Sequence, residues 1–274
     1  MRAEREYVVL VSSLPDTDYR NLLVTRDGPA ARIVLNRPDK RNALSLGLME
    51  ELIEALREES AQHGNRAIVV EGSGPAFSAG HDLSEMIGRD KDFLAHLFDR
   101  CSAMMETIHE VPQPVIAKVH GIATAAGCQL VAACDLAIAA EGTRFATPGV
   151  KIGLFCSTPM VPVSRAIGRK RAMQMLLTGE AIDAATAIDW GLINRVVPAH
   201  QLEAAVRELV DAIAGSSAYT VATGKHAFYS QIDRPEDEAY EQCELVMTQN
   251  ALAHDAQEGM TAFLEKRAPV WRGE

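Results

Sequence analysis

Short apolar runs alternate with helical periodicities along most of this chain. Leu22-Leu23-Val24-Thr25-Arg26 and Arg32-Ile33-Val34-Leu35 flank the polar turn Asp27-Gly28-Pro29-Ala30, which predicts a β-hairpin closed by Pro38. Ser45 is placed to cap a helix whose apolar residues Leu48, Met49, Leu52, Ile53 and Leu56 follow the 3.6-residue period, with Gly64 as its end. Ala67 to Val70, bounded by Gly72 and Gly74, predicts a buried strand. A helix follows over Phe93, Leu94, Leu97, Phe98, Cys101, Met104, Met105 and Ile108, broken by Pro112 and Pro114. Val115 to Val119 predicts a strand, Ala125 to Ala133 a helix of small residues, and Leu136 to Ala139 a further strand. Asp183 caps a short helix ending at Trp190-Gly191, and Ile193 to Val197 is the last strand.

From Gln201 the pattern is helical: 202–214, 218–231 and 236–266, with breaks near Gly215, Pro235 and Gly259. Strand–helix units followed by helices predict an α/β body with a helical C-terminal appendage. The boundaries read as an extension over 1–20, with an edge strand through Tyr7 to Val11, a core over 21–214 and a helical domain over 215–274.

Composition narrows the functional classes. A net charge of -10 argues against a nucleic-acid surface, which needs clustered Lys and Arg. No run approaches the roughly 18 apolar residues of a membrane span. The five cysteines are odd in number and lack metal-type spacing, so they read as reduced, mostly buried thiols in a cytoplasmic protein. Cys128 and Cys134, within an apolar stretch, read as core.

Three segments carry chemistry: Arg41-Asn42-Ala43-Leu44, Phe77-Ser78-Ala79-Gly80-His81-Asp82-Leu83, and His120 to Leu130 with Cys134-Asp135 just beyond. With Leu177-Thr178-Gly179-Glu180, Trp190-Gly191-Leu192-Ile193 and Phe263-Leu264-Glu265-Lys266-Arg267, their order and spacing resemble the crotonase (enoyl-CoA hydratase/isomerase) superfamily from about Asn21 to Trp271. The run Phe145 to Val150, with Gly153 to Pro159, looks most like the branch of enoyl-CoA hydratase domain-containing proteins. The resemblance implies an α/β fold, a ClpP-like spiral of ββα turns, and a C-terminal helical domain that makes homotrimers, or hexamers built from two trimers. It implies an acyl-CoA thioester as ligand, with coenzyme A entering as part of the substrate and no permanently bound cofactor or metal.

A reaction that builds charge on a thioester oxygen needs two donors aimed at it, and backbone N–H groups serve without titrating. Ser78-Ala79-Gly80-His81 and Ala125-Ala126-Gly127 have the small residues that let a ligand approach the backbone. By resemblance the donors are the N–H groups of His81 and Ala126; an imidazole role for His81 is a separate matter. Arg41, Ala43 and Leu44 match the loop that receives the adenine and pantetheine of CoA. Ser78, Ala79, Gly80, Asp82, Leu83, Gly127 and Leu154 match the surround of the ligand, and Phe263 and Lys266 its nucleotide end. Read alone, Phe263 is a core residue and Lys266 a solvated one.

Two departures stand out. Typical hydratases use two glutamates, and their positions hold Gln129 and Gly149 here. A carboxamide can hold a water but cannot deprotonate it, and glycine offers nothing; each lost acid/base group removes about 10²–10⁴-fold in rate. Cys156 and Ser157 lie in a loop near the acyl pocket of relatives, but a thiol nucleophile needs a partner that lowers its pKa, and the sequence shows none. Asp82 and Glu141 read as structural and His120 as a satisfied imidazole. The chain therefore reads as an acyl-CoA protein working through an oxyanion hole, or as a CoA-ester binder without catalysis.

Overall fold

A computed structural model describes residues 19–274; the expected extension and its edge strand lie outside the described residues. β1 (Leu22–Asp27) and β2 (Ala30–Leu35) form the hairpin, turning on Gly28 at φ 59°. Ser45 Oγ accepts the Leu48 N–H at 3.2 Å and opens α1 (Leu46–Ser60). The helix stops before Gly64, because Asn65 Nδ2 takes the Glu59 carbonyl at 2.9 Å that a further turn would use. β3 (Ala67–Gly72) runs parallel to β2, and Asp90 caps α2 (Lys91–Glu110). Then come β4 (Val115–Val119), β5 (Ile122–Thr124), α3 (Ala126–Ala133), β6 (Leu136–Ala140) and β7 (Arg144–Ala146).

Two helices carry no clear sequence signal: α4 (Met160–Ile167) and α5 (Arg169–Thr178). The chain closes its body with β8 (Ile182–Asp183), α6 (Ala184–Trp190) capped by Asp183, β9 (Arg195–Val197) and α7 (Leu202–Ala214). The main sheet has the order β1-β2-β3-β4-β6-β9 and is parallel from β2 onward; β5-β7-β8 form a second, smaller sheet. One face of the main sheet buries Ile33, Ile68, Val70 and Ala117 against α1, α2 and α3. Its other face is covered by α7 through Val206 and Val210. Parallel strands buried on both faces account for their continuous apolar runs.

The appendage is α8 (Ala218–Gln231), α9 (Glu236–Leu252) and α10 (His254–Glu265). The break expected at Gly259 falls at Ala253, which is extended at ψ 149°. Gly259 serves packing instead, since a Cβ there would sit 3.1 Å from the Trp271 ring. α8 is pinned to the body by Lys225, whose Nζ donates to Asp135 (2.7 Å), Ile108 O (2.6 Å) and Gln113 O (2.8 Å). Neither α8 nor α9 has a fully buried residue. Among the described residues no helix is long and apolar enough to cross a membrane, and no His, Cys, Asp or Glu group is placed to hold a metal ion.

Candidate functional site

The loop after β3 and the start of α3 meet at the C-terminal edge of the main sheet. Leu44 pairs with His81 in a parallel bridge, in which Leu44 N donates to Gly80 O (2.7 Å) and Asp82 N donates to Leu44 O (3.0 Å). Those bonds engage the groups on either side of His81, and alternation along the extended segment turns the His81 N–H away from Leu44. Gly80 has φ 88°, and a Cβ on it would lie 2.8 Å from the Ala125 Cβ and 3.2 Å from Ala126 N. The absent side chain thus lets the segment before His81 press directly on the first turn of α3.

Ala125 precedes that turn at φ 50°, ψ -120°, a conformation that costs a non-glycine residue about 1–3 kcal/mol. Its N–H is bonded to Ala146 O at 2.9 Å, and Ala126 follows as the first residue of the helix. The leading N–H groups of a helix have no partner within it and carry its positive pole. Gly127 completes the contact, because a Cβ there would strike Ser78 O at 2.4 Å. The loop before His81 and the first turn of α3 are thereby held in direct contact.

The scaffold behind them is polar and satisfied. Asn42, buried at φ 53°, accepts the Arg37 N–H and donates to Ser73 O and Ala76 O. Ser78 Oγ donates to Asn42 O at 2.8 Å, and Ala79 N donates to Arg41 O at 2.9 Å. Arg37 reaches Ala43 O (2.6 Å) and the Asp82 carboxylate (2.8 Å). Hydrogen bonds from Ser84, outweighing burial and helped by Arg37, hold Asp82 below the usual carboxylate range. The reading of Asp82 as structural matches this role. Arg37 has no sequence signal, since its partners come from the chain 6 and 45 residues further on.

His81 offers little beyond its amide. Burial lowers its imidazole pKa to about 4, Nε2 is enclosed without a partner, and the ring meets Phe98 edge-on at 5.5 Å. Gln129 lies three residues past Ala126 on the same face of α3, 3% exposed, its Oε1 accepting the Cys101 thiol at 3.8 Å. Gly149 is buried in the turn 148–152, and a Cβ on it would fall 1.9 Å from Leu154 O and 2.8 Å from Cys156 Sγ. Where a second acid/base side chain would start, backbone and a thiol already stand. The Cys156 thiol accepts the Gly149 N–H at 3.3 Å, and burial raises its pKa, so it lacks thiolate character.

The remaining expected residues are scattered around this centre. Arg41 and Leu83 are exposed beside the donor loop, Ala43 and Leu44 are buried under it, and Leu154 is 41% exposed on the loop that fills the Gly149 space. Phe263 and Lys266 lie at the end of α10, which packs on α9 and α8; Phe263 is 82% exposed and is no core residue of this protomer. His120 donates to or accepts at no reacting position: its Nε2 is bonded to Gly74 O at 2.8 Å. Cys128 and Cys134 are buried, as expected.

Residues 26–274 match the model of the enoyl-CoA hydratase/isomerase family. A relative in Rattus norvegicus, enoyl-CoA hydratase domain-containing protein 3, mitochondrial, is 43% identical over 258 residues, covering 94% of this chain and 86% of its own. An enoyl-CoA hydratase structure from Mycobacterium smegmatis superposes with a TM-score of 0.90 at 46% identity, over 92% of this chain and 98% of that one. The human enoyl Coenzyme A hydratase domain-containing protein 3 structure gives 0.90 at 43%, over 92% and 100%. The cytoplasmic location expected from the cysteines is overturned, because the relatives in Rattus norvegicus, Mus musculus, Danio rerio and Homo sapiens are named as mitochondrial. Free thiols report reducing surroundings and carry no address. Family model, relatives and fold agree with the motifs, and the chain belongs to the enoyl-CoA hydratase/isomerase family.

Proposed function

We propose that this protein binds an acyl-CoA thioester with its carbonyl oxygen at the His81 and Ala126 N–H groups, and that it acts through an enolate held there rather than by hydrating an enoyl group. The observation that supports this reading is the strained Ala125 pressed against Gly80, which holds the segment before His81 against the first turn of α3. Donors that need no reorganisation are the largest usual contribution to stabilising such charge. Hydration is disfavoured because Gln129 cannot take a proton and the Gly149 side-chain space is occupied. Decarboxylation of a thioester that carries a carboxylate on its α-carbon draws most on such a hole: the bond from the α-carbon to the carboxylate breaks, CO2 leaves, the electron pair enters the enolate, and solvent protonates the carbon, so no protein base is needed.

Coenzyme A enters as part of the substrate, with Arg41 and Lys266 as local cations for its phosphates against the overall charge of -10. Self-association as a homotrimer or hexamer is supported by α8 and α9, which bury no residue in the protomer while exposing Tyr240, Leu245, Met247 and Leu252.

Acyl-CoA thioesters incubated with the purified protein and followed by mass spectrometry test the reaction, with melting temperature as the binding readout. Loss of CO2 from a thioester carboxylated on its α-carbon, with crotonoyl-CoA unchanged, is the expected result. Thermal stabilisation by thioesters without any turnover favours a CoA-ester binder without catalysis, the reading that the occupied Gly149 space also supports. Hydration of crotonoyl-CoA at an enzymatic rate, or no thermal shift with CoA and acyl-CoA alike, overturns the proposal.

A further inference from the structure

Beside Gln129 the molecule holds a cavity of about 860 Å³, within the roughly 300–1,000 Å³ of small-molecule sites. Of the residues assigned to the thioester, Gln129 alone lines it. The cavity follows one face of α2 from Ser102 to His109, seven residues and therefore ~10 Å at the helical rise. α3, α4 and α8 supply its other walls, with exposed Phe228 and Ile232 at the rim. A chain attached to a carbonyl at the Ala126 N–H would pass Gln129 and continue toward His109.

The far end has a definite chemistry. His109 Nε2 lies 2.9 Å from Ala133 O, and since a carbonyl only accepts, that nitrogen carries the proton and Nδ1 offers a lone pair. Burial lowers the imidazole pKa, with Ala133, Asp135 and Glu106 opposing and Lys225 assisting, so the ring is neutral at pH 7. Tyr229 stacks on His109 at 3.9 Å and donates its proton to Asp135 at 2.7 Å, leaving the phenolic oxygen as an acceptor. The carboxylates of the cavity are mostly matched: Asp135 is paired to Lys225 at 2.7 Å and Asp233 to Arg165 at 3.2 Å, which leaves Glu106 as the charge without a paired cation among its lining residues. The nearby Lys225 has all three ammonium protons directed at Asp135 and two carbonyls. An occupant of this end meets acceptors and carboxylates, and no free cation faces it from His109, Tyr229 or Lys225.

We propose that this cavity is the acyl chamber and that it selects thioesters of medium-length, uncharged chains bearing a hydroxyl group near the far end, while rejecting chains that end in a carboxylate. The inference rests on the thioester placement proposed above. A terminal hydroxyl donates to His109 Nδ1 or the Tyr229 oxygen; a terminal carboxylate would meet Glu106, with Lys225 and Arg165 already engaged by Asp135 and Asp233.

Binding of CoA, acetyl-CoA, decanoyl-CoA, ω-hydroxydecanoyl-CoA and the ω-carboxylated analogue to the full chain, by calorimetry, tests it. Decanoyl-CoA should bind more tightly than acetyl-CoA, and a single neutral hydrogen bond should make the ω-hydroxy thioester about three- to tenfold tighter again. The ω-carboxylated thioester should be weaker than decanoyl-CoA. In His109→Phe the ratio between the hydroxylated and plain chains should fall toward one. In Ala132→Phe, which fills the chamber from α3, the ratio between decanoyl-CoA and acetyl-CoA should collapse. Equal binding of acetyl-CoA and decanoyl-CoA, a preference for the carboxylated chain, or a hydroxyl preference that persists in His109→Phe overturns the inference while leaving the thioester site intact. Failure of CoA and every thioester to bind removes both.

Discussion

Gly80 and Gly149 are both glycines without room for a Cβ, and they do opposite things to the same site. At Gly80 the neighbours are Ala125 and the Ala126 amide, so the missing side chain brings two donor segments together. At Gly149 the neighbours are Leu154 O and Cys156 Sγ, so the space a side chain would occupy is closed by the protein itself. Under the proposed function, one glycine builds the part that holds charge, and the other leaves no room for a side chain that would move protons. The contrast teaches that oxyanion stabilisation and proton transfer are separable within one fold, because backbone supplies the first and side chains the second.

Gly149→Glu is the severest test of that contrast. With a backbone carbonyl 1.9 Å from the new Cβ, overpacking should cost about 3 kcal/mol or more in urea denaturation. Pairing it with Gln129→Glu should therefore not rescue hydration, although the two substitutions restore both carboxylates on paper. A stable double variant that hydrates crotonoyl-CoA would break the comparison.

Gly80→Ala comes next. The φ of 88° and the contact with Ala125 should cost about 1–3 kcal/mol and abolish the thermal shift given by acetyl-CoA. Retained binding would show that the donors do not depend on this close approach. Asp82→Asn removes the charge that Ser84 and Arg37 hold, and should cost about 1–2 kcal/mol with weaker thioester binding. Because the Asp82 pKa is depressed, its contribution is complete above the ordinary 3.8 and is lost as pH falls below that value.

A pH effect sharpens the separation between the His81 amide and its ring. Burial sets the imidazole pKa near 4 against an ordinary 6.5, so between these values the unfolded chain binds a proton that the folded chain refuses. Stability should then be full above 6.5, fall as pH drops toward 4, and level off below it. His81→Phe should flatten this slope, measured by denaturation midpoints across that window, while keeping the backbone donor. A slope unchanged in the variant would assign the titration elsewhere.

Much of the fold was legible because its signals are local. Ser45 and Asp183 cap the helices their positions suggested, the hairpin turns at Gly28, and α2 follows its apolar stripe. α4 and α5 were not legible: α5 buries only Ala172, Met175 and Leu176 among exposed basic and polar residues, too short a stripe to register. In the site, the glycines announced close approach but not what would approach. Ala125 gave no sign of a positive φ, since alanine ordinarily avoids it. The Leu154 carbonyl that fills the Gly149 space belongs to a loop whose path depends on the turn at Gly153, so only the folded chain reveals it.

That filled space also fixes the order in which the site could change. A carboxylate at position 149 has no use until the segment from Gly153 to Cys156 withdraws, and withdrawing it first uncovers a gap with no side chain to fill it. Neither step alone places a usable carboxylate at position 149, so replacing Gly149 by itself cannot supply one.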